Sequence, residues 1–420
     1  MRSSFREFYV PTSAEVEVAW ASGWIVLDTN VLLNMYSYPK PSRELWQKVM
    51  SLLRERGQIW MPHQVGLEYQ RNRPAIMMSQ KEVYAKLLAG VAEIGKQADS
   101  MDNLVPHPVV DIQKYSTEIR EVLEKQKRRL EDAQRKHKVS MNDDPIRDAI
   151  DAAYEGFVGE ALDPKELEEL YKQGAARYAA LIPPGFGDAD KAEERARAGC
   201  DFGVQREYGD LVIWEQVKRQ ATATKRPIII VTDDKKKGDW FWLSKTKARY
   251  GVHPILRREM YEASGQCLLV NTPNDFLELA SERLNILGVE KAIAEVQLVD
   301  EQVLRRRDME RQRVLRAASL DQAYRTARLR SGELEQELEA ERGRGAFLEM
   351  EFARAMEEDD RPRGMDLRRA MVESRERQDS LMDSVREARA EMSAIRNTRV
   401  HLLHGDESES SGEPPRWKKK

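Results

Sequence analysis

Cysteine is nearly absent. Two occur in 420 residues, Cys200 and Cys267, and neither falls in a paired motif. That argues against a disulfide framework and a thiolate zinc site, and makes a reducing cytosolic setting the default. Long apolar runs are lacking too: none approaches the ~20 residues of a membrane span. Met1 to Glu7 have no apolar core of the kind a signal peptide carries, so a cytoplasmic protein with no membrane partner is expected. A large net charge is also missing. The formal value is −3, which excludes a wholly basic nucleic-acid coat. Charged residues of both signs nevertheless make up 34% of the chain, as solvated helices require.

Against that background one stretch stands out: Trp24-Ile25-Val26-Leu27-Asp28-Thr29-Asn30-Val31-Leu32-Leu33. Its short β-branched run suits a strand buried on both faces of a parallel sheet. Asp28 then falls at the strand's carboxyl end, the edge where open α/β sheets bind ligands. Thr29 or Asn30 can cap the helix that follows, and a plain helix cap explains Asp28 equally well on its own. A second stretch shifts the balance. Arg226-Pro227-Ile228-Ile229-Ile230-Val231-Thr232-Asp233-Asp234 is again β-branched and again ends in Thr-Asp. Two buried strands delivering carboxylates to one sheet edge point to a shared cation site.

Between and beyond these strands the chain alternates helices with short strands. Ser42 to Leu53 has helical spacing, and Gln58 to Pro62 reads as a short strand ended by proline. His63 to Arg73 starts a helix carrying Glu68, either a surface glutamate paired with Arg71 or Asn72, or a carboxylate facing the sheet edge. Residues 77–178 form a long charged helical insertion, within which Asp163 caps a helix that has Pro164 at its first position. Asp210 heads an amphipathic helix, where the dipole favours an anion and a cap is the simpler explanation. Gln266 to Val270 is a last strand, and Thr272 starts a closing helix. The α/β domain is expected to end near 288.

From 289 to 404 glycine and strand signals thin out. Leu320, Tyr324 and Ala327 alternate four and three apart, as do Leu381, Val385, Ala388, Met392 and Ile395. This heptad spacing predicts a helical or coiled-coil region, either an assembly seam that makes the protein a homo-oligomer or a helical hairpin. The polar tail, 405–420, is expected to be disordered.

Asp28, Glu68, Asp210 and Asp233 are scattered in sequence, yet each sits where a strand end or helix head can face one cleft. Like charges packed together disfavour joint ionisation, and a hard divalent cation removes that cost. The matching stretches resemble a PIN-like domain of the bacterial kind with a large helical insertion. They are Val26 to Leu33, Pro62 to Arg73, Ile182 to Phe186, Tyr208 to Leu211 with Trp214, and Val231 to Trp240. They occur in the family order and cover roughly residues 20–285. The resemblance implies a Rossmann-like parallel sheet and a nuclease dependent on Mg²⁺ or Mn²⁺. The substrate it implies is usually RNA, and it suggests a role in bacterial stress or phage defence. Under it Asp28, Glu68, Asp210 and Asp233 are the metal ligands and catalytic acids, with Asn30, Thr232 and Asp234 in support. Gly238 departs from the pattern, since many relatives carry an acid there. Arg71, Arg73, Lys191, Lys235, Lys236 and Lys237 are the candidates to hold a nucleic-acid backbone. Trp240 and Trp242 either stack on bases or belong to the core, and Asp239 is placed outside the cluster. A structure-specific DNA nuclease and a non-catalytic nucleic-acid-binding scaffold are the competing functions.

Overall fold

The computed structural model describes residues 1–137, 140, 142–187, 205–234, 239–244, 246 and 248–404. The chain opens with α1 (Ser13–Ser22), β1 (Trp24–Leu27), α2 (Thr29–Asn34) and α3 (Lys40–Glu55). A run of helices follows: α4 (His63–Met101), α5 (Ile112–Lys136), α6 (Pro145–Tyr154), α7 (Pro164–Ala179) and α8 (Gly209–Thr224). Then come β2 (Ile228–Val231), β3 (Phe241–Leu243), β4 (Arg249–Val252), α9 (Pro254–Ser264), β5 (Leu268–Asn271) and α10 (Pro273–Arg283). Two long helices close the chain, α11 (Glu290–Glu357) and α12 (Arg361–His404).

Among the described residues β1, β2 and β5 make a parallel sheet in the order β1-β2-β5. β1 and β2 are buried at every position, which is why neither alternates polar with apolar. β5 alternates buried with half-buried residues, as an edge strand does. The register pairs Leu27 with Val231 and Val231 with Asn271, so the three carboxyl ends lie level. Asp28 N donates to Val231 O at 2.9 Å and Thr232 N to Asn271 O at 3.1 Å, extending the ladder one step past the strands. The expected strand at Gln58 to Pro62 is reduced to two isolated bridges, Ile25 with Ile59 and Met61 with Val158. Neighbouring residues turn to different partners there, and Pro62, without an N–H, ends the pairing. The core continues into the helices through a stack of Trp20, Phe276 and Trp46, with centroids 5.5 and 5.9 Å apart.

The insertion is helical, as expected. α4 and α5 run antiparallel, with Arg120 paired to Asp99 at 2.8 Å and Tyr84 beside His137. Asp163 caps α7 by accepting from the backbone N of Lys165 and Glu166 at 2.8 and 2.9 Å. No helix among the described residues is long and apolar enough to cross a membrane.

The chain divides into two compact units, Met1–Glu301 and Gln302–Lys420. The first extends past the expected boundary at 288, because the opening turns of α11 bury Ala292, Ile293, Val296 and Asp300. Composition registers the change to helix formers but not the apolar face those turns keep. In the second unit, α11 and α12 form an antiparallel hairpin. Arg363 pairs with Glu351, Arg389 with Glu335 and Arg399 with Asp321. The heptad seam closes inside one chain: Ala327, Leu338, Ala355, Val385 and Ala388 are all buried. The seam expected to join copies thus already has its partner helix. The tail at 405–420 lies outside the described residues.

Leu338→Ala is expected to weaken the second unit by about 2–4 kcal/mol, the usual cost of emptying a buried leucine site. Faster amide exchange along α11 and α12 would report it, with the mass by light scattering unchanged. A fall in mass would mean that the seam joins copies instead.

Candidate metal centre

The level strand ends deliver Asp28 and Thr232 side by side. Thr232 Oγ1 donates to Asp28 Oδ2 at 2.6 Å, and Asn30 Nδ2 donates to the same oxygen at 2.7 Å. The other oxygen, Oδ1, accepts from Thr29 N at 2.7 Å. Asp28 is therefore itself the cap of α2, where Thr29 or Asn30 was expected, and the cap and cluster readings of this acid are compatible. Burial pushes the Asp28 carboxyl up to about 6; the Thr232 hydrogen bond opposes the rise, and the charges of Glu68 and Asp234 add to it.

Glu68 reaches the same region from α4. Its Oε2 accepts from Thr29 Oγ1 at 3.2 Å and its Oε1 from Gln64 Nε2 at 2.7 Å. A surface pair with Arg71 is thus not what holds it, and Arg71 donates to Asn72 Oδ1 at 3.4 Å. Glycine at 209 leaves room for the Glu68 carboxylate against the first turn of α8: a Cβ there would displace it from this position. Asp210 follows at once. Behind it lies Gly185, with φ +88° and room for a Cβ only 3.0 Å from Asp210 Cβ, so this loop also requires glycine.

One carboxylate oxygen from each of Asp210, Asp234 and Asp239 lies within 4.8 Å of the other two. Asp239 is buried and the others half-buried. Two of these three positions differ from the expected ligand set. Successive side chains of an extended segment point to opposite sides. Thr232 turns to Asp28 and Asp234 follows it, its N donating to Thr232 Oγ1 at 3.1 Å. Asp233 points away and is 1% exposed. Its Oδ2 accepts from Asn34 Nδ2 at 3.4 Å, and that amide also donates to Asp300 Oδ1 at 3.1 Å, which Tyr38 Oη reaches at 2.6 Å. Asp239, placed outside the cluster from the sequence, joins it because Trp240 is anchored. The Trp240 ring is buried edge-on against Trp214, centroids 6.1 Å apart, and Trp214 belongs to the helix that carries Asp210. An acid directly before a tryptophan, eight residues past the end of β2, was the available signal for it.

The expected basic contacts fare differently. Arg73 is 5% exposed and bound to the buried Asp144 at 2.6 Å. A guanidinium held in that pair cannot reach a phosphate, so Arg73 is removed from the nucleic-acid-binding set. Lys191, Lys235, Lys236 and Lys237 lie outside the described residues. Trp240 belongs to the core, whereas Trp242 is exposed.

A sequence profile described as PIN like domain matches residues 24–255, more than half of the chain. The chain belongs to the PIN-like domain family. The match begins on the first residue of β1 and ends in the first turn of α9, so it contains all five clustered acids. Neither the curated proteins nor the solved structures yield a match. PIN-like domains are generally nucleases and typically use divalent metal ions. The donor set here fits such an ion: it is all carboxylate oxygen, the preference of Mg²⁺ and Mn²⁺.

The raised carboxyl of Asp28 gives a pH test. Its folded pKa lies above the unfolded value, so the metal-free folded state binds the extra proton between about pH 4 and 6. This contribution to stability is present at low pH and is lost as pH rises through 6. Asp28→Asn, which does not titrate, should be stabilised relative to wild type at pH 7 in EDTA, by on the order of 1–3 kcal/mol. That advantage should shrink as pH falls from 6 to 4 in urea unfolding, and one that stays constant across this range would contradict the assignment.

Proposed function

We propose that this protein is a divalent-metal-dependent nuclease that hydrolyses phosphodiester bonds in RNA. The observation that carries this reading is the convergence of Asp210, Asp234 and Asp239 beside Asp28 and Glu68 at the carboxyl edge of the sheet. Asp210, Asp234 and Asp239 are the residues that would hold the ion, with Asp28 and Glu68 adjoining it. A bound divalent ion supplies an activated water and neutralises charge developing on the phosphodiester oxygens. RNA is the substrate class that the family resemblance implies.

The remaining residues prepare the acids. Thr232 and Asn30 fix the Asp28 carboxylate from two sides, so it needs no reorientation when a cation arrives. Gln64 and Thr29 do the same for Glu68. Thr232 also ties the Asp234 backbone to the Asp28 side chain, so one hydroxyl couples two acids. The Arg177–Glu259 pair at 2.7 Å, with Trp214 Nε1 donating to Glu259 Oε2 at 2.7 Å, braces the loop and helix behind Asp210.

Purified protein should cut labelled RNA with Mn²⁺ or Mg²⁺ and not in EDTA. Asp234→Asn and Asp239→Asn should each lower the rate by about 100-fold or more, some 2.7 kcal/mol, and weaken Mn²⁺ binding. Asp233→Asn should instead lower the melting temperature while Mn²⁺ binding persists. Wild-type rates in the Asp234 and Asp239 variants would refute the reading. Cleavage of DNA alone would move the substrate to DNA, and metal binding without any cleavage would favour a scaffold.

A further inference from the structure

The seam between α11 and α12 leaves the opposite side of α11 without a partner helix. Counted in heptads from the buried Ala327 and Leu338, the residues farthest from the seam are Leu315, Gln322, Leu329, Gln336, Gly343 and Met350, none of them charged. A solvated helix ordinarily carries its charges there. Leu315, Leu329, Phe347 and Met350 are instead between 55% and 70% exposed. Gly332 and Gly343 also face outward, and among the described residues nothing lies within 4 Å of a Cβ at either position. Glycine is the weakest helix former after proline, and the chain makes no use of the space these two leave. Gly345, on the seam side, makes room for Gln378. Charge is divided along the same stretch. Residues 312–330 hold five arginines and one acid, whereas 331–350 hold two arginines and six acids, so one half is basic and the other acidic. The ion pairs that join α11 to α12 use Asp321, Glu335 and Glu351 and leave Arg325 and Glu339 unpaired among the described residues.

We propose that this outer face of α11 binds the same face of a second copy of the chain, antiparallel, across a two-fold axis at Gly332. A parallel pair would set basic half on basic half, whereas the antiparallel pair sets each basic half on the acidic half of the other copy. The heptad columns are symmetric about that point. With Gly332 against its own counterpart, Leu315 faces Met350 of the second copy, Leu329 faces Gln336, and Arg325 faces Glu339, so the two unpaired charges meet. Bare backbone at Gly332 permits the close approach this requires. Glu333 then meets its own counterpart beside the axis and opposes the association by like charge. At 1.5 Å per residue and about 10 Å in width, the face is about 50 Å long and two copies bury about 1,000 Å² on it, the lower bound for a specific interface. The pairing is therefore reversible and dependent on concentration. A nucleic acid would suit the basic half and be repelled by the acidic one, which favours a second copy as the occupant. The face lies outside the matched family segment and is independent of the nuclease reading.

Sedimentation velocity of the full chain over about 1–100 μM should show the mass rising from one chain towards two, with a dimer Kd that increases about tenfold between about 0.05 and 0.5 M salt. Leu315→Glu with Leu329→Glu places acids against the acidic half of the other copy and should leave a single chain at every concentration, with helicity by circular dichroism unchanged. Arg325→Glu should raise Kd about tenfold, and adding Glu339→Arg should restore it. Glu333→Gln should lower Kd. If the double leucine variant loses helicity, the Arg325 and Glu339 exchange, at exposed and unpaired positions, carries the test. A wild type that stays a single chain throughout, or outer-face variants that dimerise as wild type does, would overturn the proposal. Failure of Glu339→Arg to rescue Arg325→Glu would overturn the antiparallel pairing. A single-chain wild type whose binding of labelled RNA is abolished by Arg325→Glu would assign the basic half to nucleic acid instead.

Discussion

The site hangs from the parallel pairing of β1 with β2. Those strands are 200 residues apart in the chain, yet their register sets Leu27 against Val231, and the next residues on each side touch through the Thr232–Asp28 hydrogen bond. A slip of one residue would turn every side chain on one strand to the opposite face. Burial of all eight positions in β1 and β2 makes such a slip costly, because each apolar side chain would lose its neighbours. Sheet stability and site geometry are therefore fixed by one interaction.

The helices then add acids against an electrostatic gradient. Every carboxylate brought to the sheet edge raises the free energy of those present; at Asp28 burial is the larger cause of the raised pKa, and the charges of Glu68 and Asp234 add to it. Packing elsewhere must oppose it. Trp214 and Trp240 meet behind Asp210 and Asp239, and Gly209 leaves room for Glu68 against α8. Behind the neighbouring acid, Asn34 links Asp233 to Asp300, in the opening turns of α11. Residues outside the matched family segment thus contribute to the base on which the metal-facing loop rests.

In the second unit the hairpin interrupts its own apolar seam. Glu341 is buried there and accepts from Ser374 Oγ at 2.8 Å, while its backbone O accepts from Gln378 Nε2 at 3.2 Å. Gly345 leaves the space that Gln378 fills, since a Cβ would lie 2.7 Å from Nε2. A seam of leucine and alanine alone would allow the helices to slide by a heptad. A single buried polar layer penalises every register but one, because a shifted Glu341 would lose its donors.

The fold class was legible in the chain because its signals are local. Two β-branched runs, each followed by Thr and Asp within a few residues, announce buried parallel strands, and the heptads announce long helices. Asp28, Glu68 and Asp210 could be named for the same reason: each stands at a strand end or in the first turns of a helix that its own neighbours define. What the sequence determined by itself was the pair of buried parallel strands, the helical insertion and the long closing helices. What only the tertiary structure decided was direction. Asp233 and Asp234 are adjacent and chemically alike, and the alternation of an extended chain sends one to Asn34 and the other to the cluster. Asp239 joins because a distant tryptophan, Trp214, anchors its neighbour, and Arg73 is lost to Asp144, 71 residues away. Alternation makes neighbouring side chains diverge, but which of them faces the site depends on packing between segments far apart in the chain.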